Sequence, residues 1–167
     1  MKLAIRRVRN IDIGALREMS IDFMHEVEAD TYPHMDAFEV DKHMLEILAT
    51  LDNPDLICLI AFDGKKPAGF YIGYVGDKPY SKPTRVAVAQ ELYVVPEKRS
   101  GLVGLRLMEE AGKLSIERGA EGFECIGTFN GTDKRWEKFG FKPHVVYGHM
   151  EPADFMSLVQ RFTRRVA

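Results

Sequence analysis

The 167-residue sequence has little cysteine and tryptophan, two of the first and one of the second, and no long apolar run. Two cysteines cannot form the disulfide framework of a small secreted fold, and neither stands in metal-ligand spacing. Cys58 and Cys125 lie inside apolar, strand-like stretches and are expected to be buried free thiols in a reducing compartment. No segment reaches the ~20 apolar residues of a membrane span, and the opening "MKLAIRRVRN" lacks the apolar centre of a secretory leader. An excess of one charge is also missing: 23 basic and 25 acidic residues leave a net charge of -2. That balance gives no overall counterion-release drive toward nucleic acid. The expectation is a soluble cytoplasmic protein with neither nucleic acid nor membrane as partner. His25, His34, His43, His144 and His149 show no i, i+4 pair on one helix, so no metal is expected and the histidines are assigned to surface or locally hydrogen-bonded positions.

What is present is an apolar fraction of 46%, enough to fill the core of one domain over residues 1–167. Residues 3–8 read as a strand. In the next segment Ile13, Leu16, Met19, Ile21 and Met24 fall near helical spacing with Asp12 as N-cap. A second helix is predicted from about Val40 to Leu51, carrying Met44, Ile47, Leu48 and Leu51 on one side. "LICLIAF", "DGKK" and "PAGFYIGYVG" form a hairpin pattern, "DKPYSKP" a loop, and residues 85–95 a further strand. A helix beginning near Gly101 aligns Val103, Leu107, Ala111 and Leu114 and ends at Gly119. "GFECIGTF" reads as a strand, "GTDKRWEKFG" as a short helix and "KPHVVYGHM" as a last strand. A helix at about 152–165 aligns Phe155, Leu158, Val159 and Phe162, a stripe that could cover its own sheet or form a homodimer. This order predicts a mixed sheet flanked by helices, an α/β or α+β fold.

The most informative stretch is "VVPEKRSGLVGLRLM", where a strand turns into a helix. The first amides of a helix have no intrahelical partner and the macrodipole adds positive potential there, so anions are stabilised. Gly101 and Gly104 permit close backbone approach, while Lys98, Arg99 and Arg106 add full charges; a pyrophosphate suits such a turn.

"ELYVVPEKRSGLVGLRLM", then "IERGAEGF", then "RWEKFGFKP", in this order, resemble the GNAT family of N-acetyltransferases over residues 91–141. Leu92, Val94 and Pro96 match the family's strand end, Arg99 its Arg or Gln position, and Gly104 its last small residue. Leu102 stands where the family has its first glycine, and Gly101 lies one residue early. The resemblance implies a mostly antiparallel central sheet, splayed at its middle strands, and acetyl-CoA as co-substrate. Arg99, Ser100, Gly101, Leu102, Val103 and Gly104 would hold its pyrophosphate. Amides of the Leu92 to Val94 strand would pair with the pantetheine arm, with a bulge in the Glu91 to Val95 strand causing the splay.

By the same resemblance the acceptor is a primary amine on a small molecule or peptide, acetylated by direct attack on the thioester without metal. Glu91 is placed as the base, since strand alternation puts Glu91 and Tyr93 on one face and Leu92 and Val94 on the other. The family's tyrosine acid is replaced by Trp136, whose indole N–H lacks useful acidity; Trp136 is expected to pack against the cofactor arm or the core, and Tyr93 and Tyr147 are the substitute acids on position alone. An acidic segment containing Asp22, Glu26, Glu28, Asp30, Asp36, Glu39, Asp41 and Glu46 would attract a cationic acceptor or form a solvated face. The rival class is an acyl-CoA-binding or interaction module that keeps this fold without the chemistry, favoured by Leu102 and the absent tyrosine.

Overall fold

A computed structural model describes residues 3–27, 37–78 and 84–125. They all lie in the first of two compact units, Met1–Asp133 and Lys134–Ala167. The short helix, last strand and final helix expected beyond residue 130 fall outside the described residues, as does most of the "DKPYSKP" loop.

The elements are β1 (Leu3–Arg7), α1 (Ile13–Val27), α2 (Ala37–Thr50), β2 (Leu56–Asp63), β3 (Lys66–Asp77), β4 (Arg85–Val94), α3 (Val103–Glu117) and β5 (Gly122–Cys125). Short 3-10 turns at Asn10–Asp12 and Pro96–Lys98 precede α1 and follow β4. The strands lie side by side in chain order. Pairing is antiparallel from β1 to β4, and β5 joins β4 in parallel after the α3 crossover. This is the mixed sheet that the order of elements predicted, mostly antiparallel as the family resemblance implied.

Both sheet faces are covered, which explains the uninterrupted apolar run of β2. Cys58 and Ile60 point to one side, where Leu16, Met19 and Met24 of α1 and Val40, Met44 and Ile47 of α2 pack with Phe70, Ile72 and Tyr93. Ile57, Leu59 and Ala61 point to the other, against Val103, Leu107 and Ala111 of α3. Each large side chain so buried contributes about 1.5–3 kcal/mol. Predicted helical stripes and observed contacts agree here, because an apolar period near 3.6 leaves one face that must be covered.

Three local expectations change. Helix α2 begins at Ala37, ahead of the apolar stripe that marked its start at Val40. Asp12 does not cap α1 from outside; it closes the preceding 3-10 turn, accepting the Arg9 amide at 2.9 Å and two bonds from the Arg6 guanidinium at 2.5 and 2.7 Å. Arg6 therefore holds the Asp12 carboxyl below its ordinary range, with the Arg9 amide adding to the effect against the opposing effect of burial. Helix α3 ends as expected: Gly119 takes φ 82, its amide bonds Ile116 O and that of Ala120 bonds Ser115 O, a Schellman closure.

The third change concerns the bulge. It lies at Gln90, just before the predicted stretch, because Gly73 pairs with Ala89 while Ile72 pairs with Glu91. One extra residue reverses the facing of everything beyond it. Ala87 and Ala89 face α3, and without Gln90 the odd-numbered series would continue to Glu91 and Tyr93 on that side. Instead Leu92 and Val94 pack toward α3, and Tyr93 joins the α1 and α2 side. A side chain at Gly73 could not coexist with this geometry, since its Cβ would come 2.5 Å from Val88 O and 2.8 Å from the Tyr71 hydroxyl.

Gly73→Ala is expected to destabilise the protein by about 1–3 kcal/mol. Gly112→Ala, inside α3 with no atom within 4 Å of the added carbon, should stabilise it by about 0.5–1 kcal/mol. Urea midpoints at unchanged slope measure both; equal midpoints for the two variants would show that Gly73 is not clamped by its neighbours.

Candidate active site

The face swap at Gln90 delivers the Glu91 carboxylate to the sheet side beneath α2. His43 lies on that helix one turn from both Val40 and Ile47, at the flank of its buried stripe. Its Nε2, closed off from solvent, lies 3.1 Å from Glu91 Oε1. Nδ1 looks outward, 3.9 Å from Glu46 Oε2 on the same helix. Contact with Glu91 raises the imidazole pKa, opposed by burial and assisted by the charge of Glu46. Across the strands from Glu91 sits Cys58, paired through Ile72. Burial first, then the Glu91 charge, pushes its thiol up to about 12. The expectation of a buried free thiol holds for Cys58; the Cys125 side chain lies outside the described residues.

Tyr93, next on the same face, is set into the core. Its ring lies 6.2 Å from Phe23 and 5.8 Å from Phe70, and the Arg99 guanidinium carbon stands 5.5 Å above it. Burial, followed by the charges of Glu26 and Asp22, raises the phenol pKa, so its proton is held more tightly than in a free tyrosine. Tyr147 and Trp136 lie outside the described residues.

The opposite property belongs to the strand edge. Val95 N donates to Ala68 O on β3 at 3.1 Å. Alternation then turns the amides of Leu92 and Val94 away from β3, toward the edge on which β5 lies. The ladder to β5 is described as far as Ala89 opposite Cys125, so both amides lie beyond it. The Val94 carbonyl on that edge accepts from Arg99 Nε at 2.8 Å.

Beyond β4 the chain turns into α3 with a cluster of uncommitted donors. Among the described residues, the amides of Ser100, Leu102, Val103, Gly104 and Leu105 meet no backbone acceptor, whereas Gly101 N bonds Lys98 O at 3.1 Å. Leu102 occupies its position without strain: φ is -94 and ψ is 6, and its side chain points outward, 57% exposed. The missing glycine therefore removes no amide from the turn. Gly104 lies against β4, where an added Cβ would meet Val94 Cγ2 at 3.4 Å. The cations of the turn already have partners. Arg99 Nη2 contacts both oxygens of Glu26 at 2.6 Å, Lys98 bonds Asp63 at 2.6 Å and Arg106 bonds Glu109 at 2.8 Å.

The acidic segment is likewise paired in large part. Glu26 bonds Arg99, Asp41 bonds Arg17, Glu39 lies near Lys42 and Glu46 near His43, while Glu28, Asp30 and Asp36 fall outside the described residues. The sequence pointed to Glu91 and the turn but passed over Glu26 as a partner of Arg99 and His43 as a partner of Glu91. For His43 a signal existed in its i-3 and i+4 spacing to Val40 and Ile47; for Glu26, 73 residues from Arg99, none did.

The model of the acetyltransferase (GNAT) family matches residues 21–141. The chain belongs to the GNAT acetyltransferase family. Solved structures agree on the fold. A GCN5-related N-acetyltransferase from Ralstonia eutropha JMP134 superposes with a TM-score of 0.71 at 18% identity, covering 90% of this chain and 99% of that one. A predicted acetyltransferase from Clostridium acetobutylicum, solved with acetyl-CoA, gives 0.70 at 18% identity over 92% and 98% of the two chains. An aminoglycoside acetyltransferase from an uncultured soil metagenomic sample, solved with sisomicin, gives 0.63 at 18% identity over 89% and 95%. No protein of curated function matches this GNAT sequence. No helix among the described residues is long and apolar enough to cross a membrane.

Burial pushes the Cys58 thiol up to about 12, so little reactive thiolate is present at pH 8. In a Cys125→Ser background, folded protein should leave Cys58 unmodified by a disulfide reagent for as long as the unfolded chain needs to react fully. Prompt modification of the folded protein would show that the thiol is open to solvent.

Proposed function

We propose that this GNAT protein transfers the acetyl group of acetyl-CoA to the primary amine of a small molecule or peptide, with Glu91 as base. The observation that supports it most is the sharing of one strand by three functions. Glu91 faces the helix side, the Leu92 and Val94 amides face the edge on which β5 lies, beyond the described ladder, and the anion-type turn follows at the strand's end.

The residues present fit the cofactor. The Leu92 and Val94 amides suit an extended amide-bearing arm laid along the β4 edge, in the manner of an added strand. The donors of residues 100 and 102–105, at the positive end of α3, suit a pyrophosphate. The exposed Arg99–Glu26 pair is worth about 1 kcal/mol or less, so a multiply charged phosphate can take the guanidinium from it. When bound, acetyl-CoA supplies an activated acetyl carbonyl. The Leu92 amide, adjacent to Glu91, is the donor assigned to the developing oxyanion, a contribution of about 3 kcal/mol at comparable donors. An alkylammonium with a pKa near ~10.4 must lose its proton before it can attack, and the Glu91 carboxylate accepts it directly or through water. Tyr93 is given a packing role beneath Arg99 and transfers no proton. The acceptor class draws support from the solved aminoglycoside acetyltransferase that shares the fold.

Calorimetric titration with acetyl-CoA should show micromolar binding, lost on Arg99→Glu; absence of binding by the parent protein at millimolar ligand would overturn the cofactor assignment. With a panel of amines and free-thiol release as readout, Glu91→Gln should lower kcat by about 100-fold or more while leaving acetyl-CoA affinity intact. Unchanged turnover and an unchanged pH profile would remove Glu91 from the mechanism.

A further inference from the structure

We propose that His43 is a positioning residue that makes Glu91 and the imidazole a single proton-accepting unit, with Glu46 at its outer end. The inference rests on the reading of Glu91 as base and extends it to a residue of a different element.

The geometry is that of a three-member line. Glu91 is the inner member, its side chain 19% exposed. His43 is half-buried, presenting Nε2 to Glu91 at 3.1 Å and Nδ1 to Glu46 Oε2 at 3.9 Å. Glu46 is the outer member, its side chain 65% exposed. Nε2 has no access to water, so its proton traffic passes through Glu91. From α1, the carboxylates of Asp22 and Glu26 bear on Tyr93, and from β2 the Cys58 thiol bears on Glu91. The charges bearing on the imidazole are thus Glu91 from β4 and Glu46 from α2 itself.

A carboxylate alone is a weak store for a proton taken from an ammonium, because its ordinary pKa is ~4.3. An imidazole in contact with it corrects this mismatch. The ammonium N–H bond breaks and a Glu91 O–H bond forms; that proton moves from Oε1 to Nε2 and leaves an imidazolium beside a restored carboxylate. Nδ1 keeps its proton throughout, beside the Glu46 carboxylate at 3.9 Å; once product leaves, Nε2 returns its proton through Glu91 to water, which restores the starting tautomer. Atoms and charge balance with no further reactant. The unit also sets the sign of the pH response. Below the raised His43 pKa the imidazolium already holds the proton and the unit cannot accept another, so acceptor turnover falls as pH falls through that value.

Two measurements test the proposal. Histidine NMR titration of the folded protein should give a His43 midpoint above ~6.5 that returns toward the free-histidine value in Glu91→Gln. This readout requires no catalysis, and so stands or fails independently of the acetyltransferase reading. In the acetyl-transfer assay, His43→Asn should keep acetyl-CoA binding, lower the kcat plateau and move the acidic limb of the pH profile to lower pH; Glu46→Gln should lower kcat less and leave the fold unchanged. A His43 midpoint indifferent to Glu91→Gln would overturn the coupling. A His43→Asn enzyme with the parental plateau and acidic limb would overturn the proton role while leaving Glu91 as base. Should His43→Asn fail to fold, His43→Gln carries the same expectations.

Discussion

The register shift at Gln90 in β4 is the constraint on which the rest depends. Because strand side chains alternate with period two, one surplus residue exchanges the two faces of all that follows. It turns Glu91 from the α3 layer toward α2 and lets Tyr93 complete the aromatic group with Phe23 and Phe70. The bare α-carbon of Gly73 on the neighbouring strand admits the close approach. A backbone irregularity of one residue thus determines which carboxylate lies beside which helix.

Charge pairing then joins elements that the hydrophobic layers only stack. Arg99 reaches from the turn after β4 to the last turn of α1, Lys98 reaches to the end of β2, and His43 meets β4 from α2. These contacts are partly exposed, and their contribution to stability is small beside that of the two apolar layers. Their value is geometric. They fix the direction of a guanidinium and an imidazole at the two ends of the Glu91 to Val94 segment.

Much of this was legible in the sequence where the signal is local. The "DGKK" hairpin, the α3 stripe from Val103 to Leu114 and the Gly119 stop all follow from periodicity or from a residue's own backbone preference, and the structure bears them out. Alternation after the bulge placed Glu91 and Tyr93 together correctly, since it needs no knowledge of what precedes residue 91. The bulge itself was misplaced by a residue or more, because "VAVAQELYV" alternates smoothly enough to hide an insertion. Asp12 was read as a helix cap because its preference for that position is strong, while the competing claim of Arg6 comes from a different element. Glu26 with Arg99 and His43 with Glu91 escaped because a partner 73 or 48 residues away cannot be read from spacing; the spacing of His43 marked its place at the flank of a buried stripe and not the carboxylate it meets.

The Arg99–Glu26 contact changes the character of any encounter at the turn. A guanidinium waving in solvent would have to be immobilised by its ligand, at a cost of about 0.5–1.5 kcal/mol in rotamer freedom. Here the carboxylate, the Tyr93 ring and the Val94 carbonyl have already settled the side chain during folding. An arriving anion enters as a replacement for a resident one, so charge compensation at the guanidinium is present before and after. What distinguishes one visitor from another is then its surplus over a single carboxylate, in charge and in acceptor oxygens.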